Sequence, residues 1–357
     1  MFSTFANKRV LVTGHTGFKG SWLATWLHRL GAEVTGYALP PLDPGDHFVR
    51  LDLARRIRHV EGDLLDYEKL RRTVAETQPE VVFHLAAQAL VRLSYAEPQR
   101  TFDTNVTGAQ HLLEAIRHTP GVRALVFITS DKCYRNHEWV WGYRETDELG
   151  GGDPYSASKA CAELVFRSYW ESYLSQLPGF SAATARAGNV IGGGDFAADR
   201  IVPDCIRALG AGEPVRVRNP EATRPWQHVL EPLSGYLTLG RALLGEDARR
   251  YAGAWNFGPL KDSNRTVGEL VERLMKTWGG GEMRVERQAG APHESRLLHL
   301  NCDKAHADLG WQPTWHFAES VDATTLWYRD VLAGSLDAWE FTNAQIAAYE
   351  TALHRQP

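Results

Sequence analysis

Short apolar runs alternate with helical patterns through the first half of this chain, and that alternation restricts its fold more than any other feature. The runs are RVLVT (Arg9 to Thr13), AEVTGYAL (from Ala32), IRHVEGD (from Ile57), EVVFHLAA (from Glu80), ALVFIT (from Ala124) and SAATARAG (from Ser181). Between the first two, Trp22, Leu23, Trp26, Leu27 and Leu30 recur at helical spacing, and Gly31 supplies a C-cap. DYEKLRRTVAET, a stretch after Thr101 and a long stretch from about Pro154 to Leu177 repeat the helical pattern. Strands separated by helices pair in parallel, because each helix carries the chain back to its starting edge. The expected fold is therefore α/β with a doubly wound parallel sheet. After residue 186 the rhythm loosens into a loop (GGGDFAADR), a short strand and turn (GEPVRVRNP), and helices mixed with short strands. That part should form a smaller, mostly helical lobe, with amphipathic helices over roughly 316 to 355 packed on it.

Gly14-His15-Thr16-Gly17-Phe18-Lys19-Gly20 falls between the first strand and the first helix. Backbone amides and the positive helix end can receive a pyrophosphate there, and a Cβ would hold the phosphate away or keep the helix off the strand. The pattern points to a Rossmann-type dinucleotide-binding domain; the expected division is residues 1–185 for that domain, with later chain crossings around 225–258, and a substrate lobe mainly over 186–357. In Tyr155-Ser-Ala-Ser-Lys159 the two end residues lie one turn apart on one helix face, so the ammonium can sit beneath the phenol. That charge, with an oxidised nicotinamide, would draw the phenol from about 10 toward neutrality and make it a general base for a hydroxyl. At the end of ALVFIT an acid, Asp131, and a base, Lys132, stand side by side.

Composition narrows the partners. At 357 residues with 43% hydrophobic content the chain can bury a full core. A net charge of -4 and a pI near 6.4 argue against nucleic acid. Cys133, Cys161, Cys205 and Cys302 have neither disulfide-framework nor metal spacing, so no metal is expected. The start of the chain shows no basic and apolar leader, and no stretch approaches the roughly 18 apolar residues of a membrane span. The expected setting is cytoplasmic, with no membrane contact.

The GxxGxxG spacing resembles the extended short-chain dehydrogenase/reductase superfamily, and other stretches extend the likeness. Gly62-Asp63-Leu64 resembles the segment that holds adenine, and His84-Leu85-Ala86-Ala87-Gln88 the loop that lines the dinucleotide. Asn105 is similar to the helix asparagine that supports the active site. Tyr37 stands at the end of the second strand, where NAD-specific members usually carry an acid for the ribose diol, and Lys19 could face a 2′-phosphate. The resemblance alone implies NAD rather than NADP.

Ser130 aligns with the hydroxyl residue of the Ser/Tyr/Lys set. Ser130-Asp131-Lys132 resembles the Thr-Asp-Glu triplet of sugar-nucleotide 4,6-dehydratases, in the lysine form of the branch acting on CDP-glucose. Stretches such as Arg186-Ala-Gly-Asn189, Asp199-Arg200-Ile-Val-Pro and Arg224-Pro-Trp-Gln-His228 carry the likeness along nearly the whole chain. It implies a redox-neutral cycle of deoxysugar biosynthesis. Tyr155 takes the C4 hydroxyl proton, Lys132 the C5 proton, and protonated Asp131 releases the 6-hydroxyl as water. A free lysine, with a pKa of about 10.4, needs burial or the repulsion of Lys159 to act so, or else it stabilises the enolate. The likeness also implies that Asn189, Arg200, Arg224 and Arg296 hold the nucleotide diphosphate, with Trp226 lining the sugar pocket, and that the chain forms a homodimer or higher homo-oligomer. A 4-epimerase or reductase of the same fold, another nucleotide sugar, and a non-catalytic NAD-binding regulator are the alternatives.

Overall fold

The computed structural model describes residues 2–198, 200–286 and 298–355. One parallel sheet contains β1 (Arg9–Thr13), β2 (Glu33–Ala38), β3 (Arg58–Glu61), β4 (Val81–His84), β5 (Ala124–Ile128), β6 (Ser181–Ala187) and β7 (Gly253–Phe257). Their order is β7-β6-β5-β4-β1-β2-β3, so the winding reverses between β4 and β1. A crevice forms beyond the carboxyl ends of strands at such a switch point.

Alternate residues of the central strands serve two cores. Val10, Val12, Val81, Phe83 and Val126 pack with α1 (Phe18–Arg29). Leu11, Val82, Leu125 and Phe127 pack with α2 (Tyr67–Thr77), α3 (Gly108–Arg117) and α4 (Pro154–Ser172). Leu23 and Leu27 of α1 are fully buried, which contributes about 2 kcal/mol each.

Three elements differ from expectation. The stretch after Thr101 is interrupted: a helix over Pro98–Phe102 passes through a π turn at Asp103–Thr107 before α3 begins. α4 stops at Ser172, and Leu177 is extended at φ -70 and ψ 127, since Pro178 disfavours helical backbone in the residue before it. The final helix does not pack only on the second lobe. α7 (Ala338–Leu353) packs on α6 (Phe317–Leu332) and also against α1, with Trp26 Nε1 donating to Glu350 Oε1 at 2.9 Å, while α5 (Leu230–Leu243) lies against β5 and β6 of the sheet. Among the described residues no helix is long and apolar enough to cross a membrane, and no cluster of three metal-ligating side chains occurs.

Candidate active site

The chain leaves β1 at Thr13, whose Oγ1 accepts from the Ala86 amide at 3.2 Å and so ties the glycine turn to the loop after β4. Gly14 has φ +76, and a Cβ there would lie 2.7 Å from the Ala86 nitrogen. A Cβ on Gly20 would lie 2.0 Å from the Gly14 carbonyl oxygen, so α1 can rest on the turn only without one. Gly17 is exposed at the N-cap of α1, where a Cβ would meet nothing closer than 3.4 Å. The first amides of α1 face this space without helical acceptors. Two closed glycines behind one open glycine make a cradle that fits a dinucleotide pyrophosphate.

The other candidate cofactor residues surround this cradle in different ways. Thr16 donates its hydroxyl to the Leu39 carbonyl at 2.9 Å, fastening the turn to the end of β2. Phe18 borders Gly192, where a Cβ would sit 3.1 Å from its ring. His15 is a buried core residue beneath Gly36, and burial and then His59 pull it down to about 3. Tyr37 is fully enclosed and donates its hydroxyl to the Asp63 carbonyl at 2.8 Å, so it offers nothing to a ribose. Asp63 accepts from the Leu65 amide at 3.0 Å, and Leu64 packs under Gly108. Leu85, Ala86 and Ala87 are half-buried along the crevice. Lys19 does not stand at the ribose end: its charge faces Arg200, Asp131, Lys159 and Asp195.

β5 delivers the Ser130–Cys133 turn. Ser130 is extended, then Asp131–Cys133 makes one turn of 3₁₀ helix. Ser130 Oγ donates to Asp131 Oδ1 at 2.9 Å and accepts the Lys132 amide at 3.2 Å. Asp131 is buried, its Oδ2 against Gly188, where a Cβ would lie 2.9 Å away. α4 begins beside it because Asp153 caps the Ser156 amide at 3.0 Å and Pro154 fits the first turn. The Tyr155 amide donates to Ser94 Oγ at 3.2 Å, and the Tyr155 phenol hydrogen-bonds Ser130.

Burial governs both members of the Tyr155–Lys159 pair. It raises the phenol to about 12 despite the Ser130 bond, and it lowers the ammonium to about 8. The expected pull of Tyr155 toward neutrality is outweighed here by desolvation. Asn105, in the π turn, accepts the Gln88 amide at 2.8 Å and donates to the Gln88 carbonyl at 3.0 Å and Ser158 Oγ at 2.9 Å. It therefore joins the loop after β4 to α4. Helical insertions of this kind concentrate at functional positions.

Among the substrate candidates, Arg200 pairs with buried Asp195 at 2.7 Å, and its charge reaches Tyr155. Asn189 is half-buried between β6 and the strand Val190–Ile191. Arg224 lies on a short antiparallel pair with Asn264–Thr266 and donates to the Thr223 carbonyl at 2.8 Å. Trp226 is buried and gives its indole N–H to the Arg265 carbonyl at 3.0 Å. Arg296 and Asp199 lie outside the described residues. Sequence reasoning gave no role to Asp195, Ser94 or Glu163. Of these only Glu163, four residues after Lys159, had a spacing signal.

A glycine cradle at the switch point of a parallel sheet, with a Ser, a Tyr and a Lys at its edge, defines a short-chain dehydrogenase/reductase of the extended kind. Residues 11–324 match the family model described as GDP-mannose 4,6 dehydratase, and the chain belongs to that family. It is 46% identical over 355 residues to the CDP-glucose 4,6-dehydratase of Salmonella typhimurium, covering 98% of each chain. It is 25% identical over 332 residues to the dTDP-D-glucose 4,6-dehydratase of Homo sapiens, covering 90% of each. Similar solved structures include the UDP-glucose 4-epimerase of Thermotoga maritima with UDP-glucose (TM-score 0.75, 26% identity, 90% of this chain and 99% of that one). Another is the dTDP-glucose 4,6-dehydratase of Streptomyces venezuelae with NAD bound (TM-score 0.75, 25% identity, 91% and 98%).

Proposed function

We propose that this protein is a hydro-lyase that converts CDP-D-glucose to CDP-4-keto-6-deoxy-D-glucose. The observation that carries the reading is the Ser130–Lys132 turn, in which buried Asp131 and adjacent Lys132 stand beside the Tyr155–Lys159 pair. An epimerase or reductase needs the last two residues and has no use for an elimination acid. The 46% identity to a CDP-glucose 4,6-dehydratase supports the choice of nucleotide.

NAD fits the cradle of Gly14, Gly17 and Gly20, with Asn105, Gln88 and Lys159 along its course, and when bound it would take hydride from C4 and return it to C6. Tyr155, hydrogen-bonded to Ser130, removes the C4 hydroxyl proton as its phenolate and becomes the phenol; burial opposes that phenolate, and the charges of the Lys159 ammonium and of a bound oxidised nicotinamide would favour it. Lys132 removes the C5 proton once a C4 ketone has acidified it, and C5 is reprotonated after hydride reaches C6. Asp131, protonated, gives its proton to the 6-hydroxyl, which leaves as water. Lys19 and Arg200 face the same cleft and offer positive charge to a diphosphate.

Residues 1–185 would carry the cofactor and 186–357 mainly the nucleotide sugar, with Asn189, Arg224 and Arg296 as diphosphate ligands. All four cysteines are free, in keeping with the cytoplasm. A homodimer would form through α4 and the segment before α3, where Leu164 and Phe102 are exposed. The test is Asp131→Asn. Oxidation at C4 should persist, seen as reduced-cofactor absorbance, while water loss falls by about a thousandfold. Undiminished water loss would remove Asp131 from the reaction.

A further inference from the structure

Glu163 lies on α4 one turn beyond Lys159 and is 4% exposed, and the mechanism above does not use it. Its Oε1 accepts from Thr129 Oγ1 at 2.5 Å and Arg186 Nε at 2.8 Å, and its Oε2 from Thr184 Oγ1 at 2.8 Å and Arg186 Nη2 at 2.9 Å. Arg186 Nη1 donates to the Tyr134 hydroxyl at 2.7 Å, which donates to Asn256 Oδ1 at 2.8 Å. One buried ion pair thus ties α4 to β5, β6 and β7, immediately before and after the Ser130–Cys133 turn. Such pairs rarely add net stability, because desolvation of both ions offsets their attraction.

We propose that Glu163 is a positioning residue for the catalytic set. It locks Thr129, and so the Ser130–Lys132 turn, to the helix carrying Tyr155 and Lys159, and its carboxylate stands one turn from Lys159 on the same face of that helix. The proposal rests on the functional reading above and assigns that site a residue it lacked. On its own helix Lys159 lies one turn from both Tyr155 and Glu163, and it is faced by Cys133 from the turn after β5, His84 from β4 and Lys19 from α1. Burial pulls His84 down to about 3 and pushes the Cys133 thiol up, so both are uncharged near neutrality. Burial opposes ionisation of Glu163, but Arg186 and the surrounding hydrogen bonds hold it below the usual carboxylate range.

Glu163→Met alone would strand a buried arginine, so the variant to make is Glu163→Met with Arg186→Met, which removes both charges and keeps the volume. Lysines labelled with ¹³C at Cε report the Lys159 titration directly, its signal assigned by its loss in Lys159→Met. The midpoint should fall by about one pH unit in the double variant. An unchanged midpoint overturns the proposal. Thr129→Val, which leaves the ion pair in place, should keep the Lys159 midpoint and KM but lower kcat several-fold; an unchanged kcat overturns the positioning role. The titration needs no substrate. Failure of the unaltered protein to turn over CDP-glucose therefore counts against the functional reading, and the Glu163 result stands apart from it.

Discussion

At the scale of single residues, Lys132 carries the least conventional of the proposed roles, because a lysine must lose its proton before it can take one from C5. Lys132→Met should retain C4 oxidation and lose exchange of the C5 hydrogen into deuterated solvent, followed by NMR of the sugar; exchange at the unaltered rate would show that another group is the base. Tyr155 and Lys159 were legible in the sequence because helical spacing alone puts them on one face. Asp131 was legible because a charge directly after a buried strand is conspicuous. Tyr37 was not, since nothing local reveals that its hydroxyl turns inward to the Asp63 carbonyl. Lys19 was misread for a related reason: position in the glycine turn does not give side-chain direction, and its ammonium faces Arg200, Asp131, Lys159 and Asp195.

At the scale of elements, the glycine turn separates two functions that the spacing alone merges. Gly20→Ala would drive a methyl to 2.0 Å from the Gly14 oxygen and should unfold or strongly destabilise the protein. Gly17→Ala has room at 3.4 Å and should leave Tm within a degree or two while weakening NAD binding at least tenfold. Calorimetric titration with NAD and thermal unfolding of both variants would check this. Equal losses of stability would mean that the open glycine is structural too. The strands were readable because each is short, apolar and bounded by turn residues. The break around Asn105 was not, because a π turn keeps the composition of the helix it interrupts. The partner of the last helix was not either, since amphipathicity shows that a face is buried and not what buries it.

At the scale of the whole molecule, α7 and α5 are joined to the loop before α6 by one buried acid. Glu231 Oε1 accepts the Trp315 amide at 2.6 Å, and Oε2 accepts the Thr314 amide at 2.8 Å and the Tyr349 hydroxyl at 2.7 Å. Burial raises its pKa to about 7, against these hydrogen bonds. Because the folded value lies above the unfolded one, the folded state holds the extra proton. The stability due to that protonation is full below about pH 4.5 and is lost as pH rises through about 7. Glu231→Gln should therefore gain in Tm relative to the unaltered protein between pH 5 and pH 7, and a constant difference would contradict the buried, proton-sharing acid. Such long-range joints escape sequence reading because Glu231, Thr314 and Tyr349 meet only in the finished fold. The sheet and the catalytic helix were legible for the opposite reason, that their signals lie within a few residues. The central claim is the elimination cycle, and proton NMR of the protein with CDP-glucose in deuterated water, with and without added NAD, tests it most directly. The account predicts the C6 methyl signal of a 6-deoxy-4-keto sugar, deuterium at C5 and no net NADH. Absence of the methyl signal with CDP-glucose and with every other nucleotide glucose or mannose would contradict it.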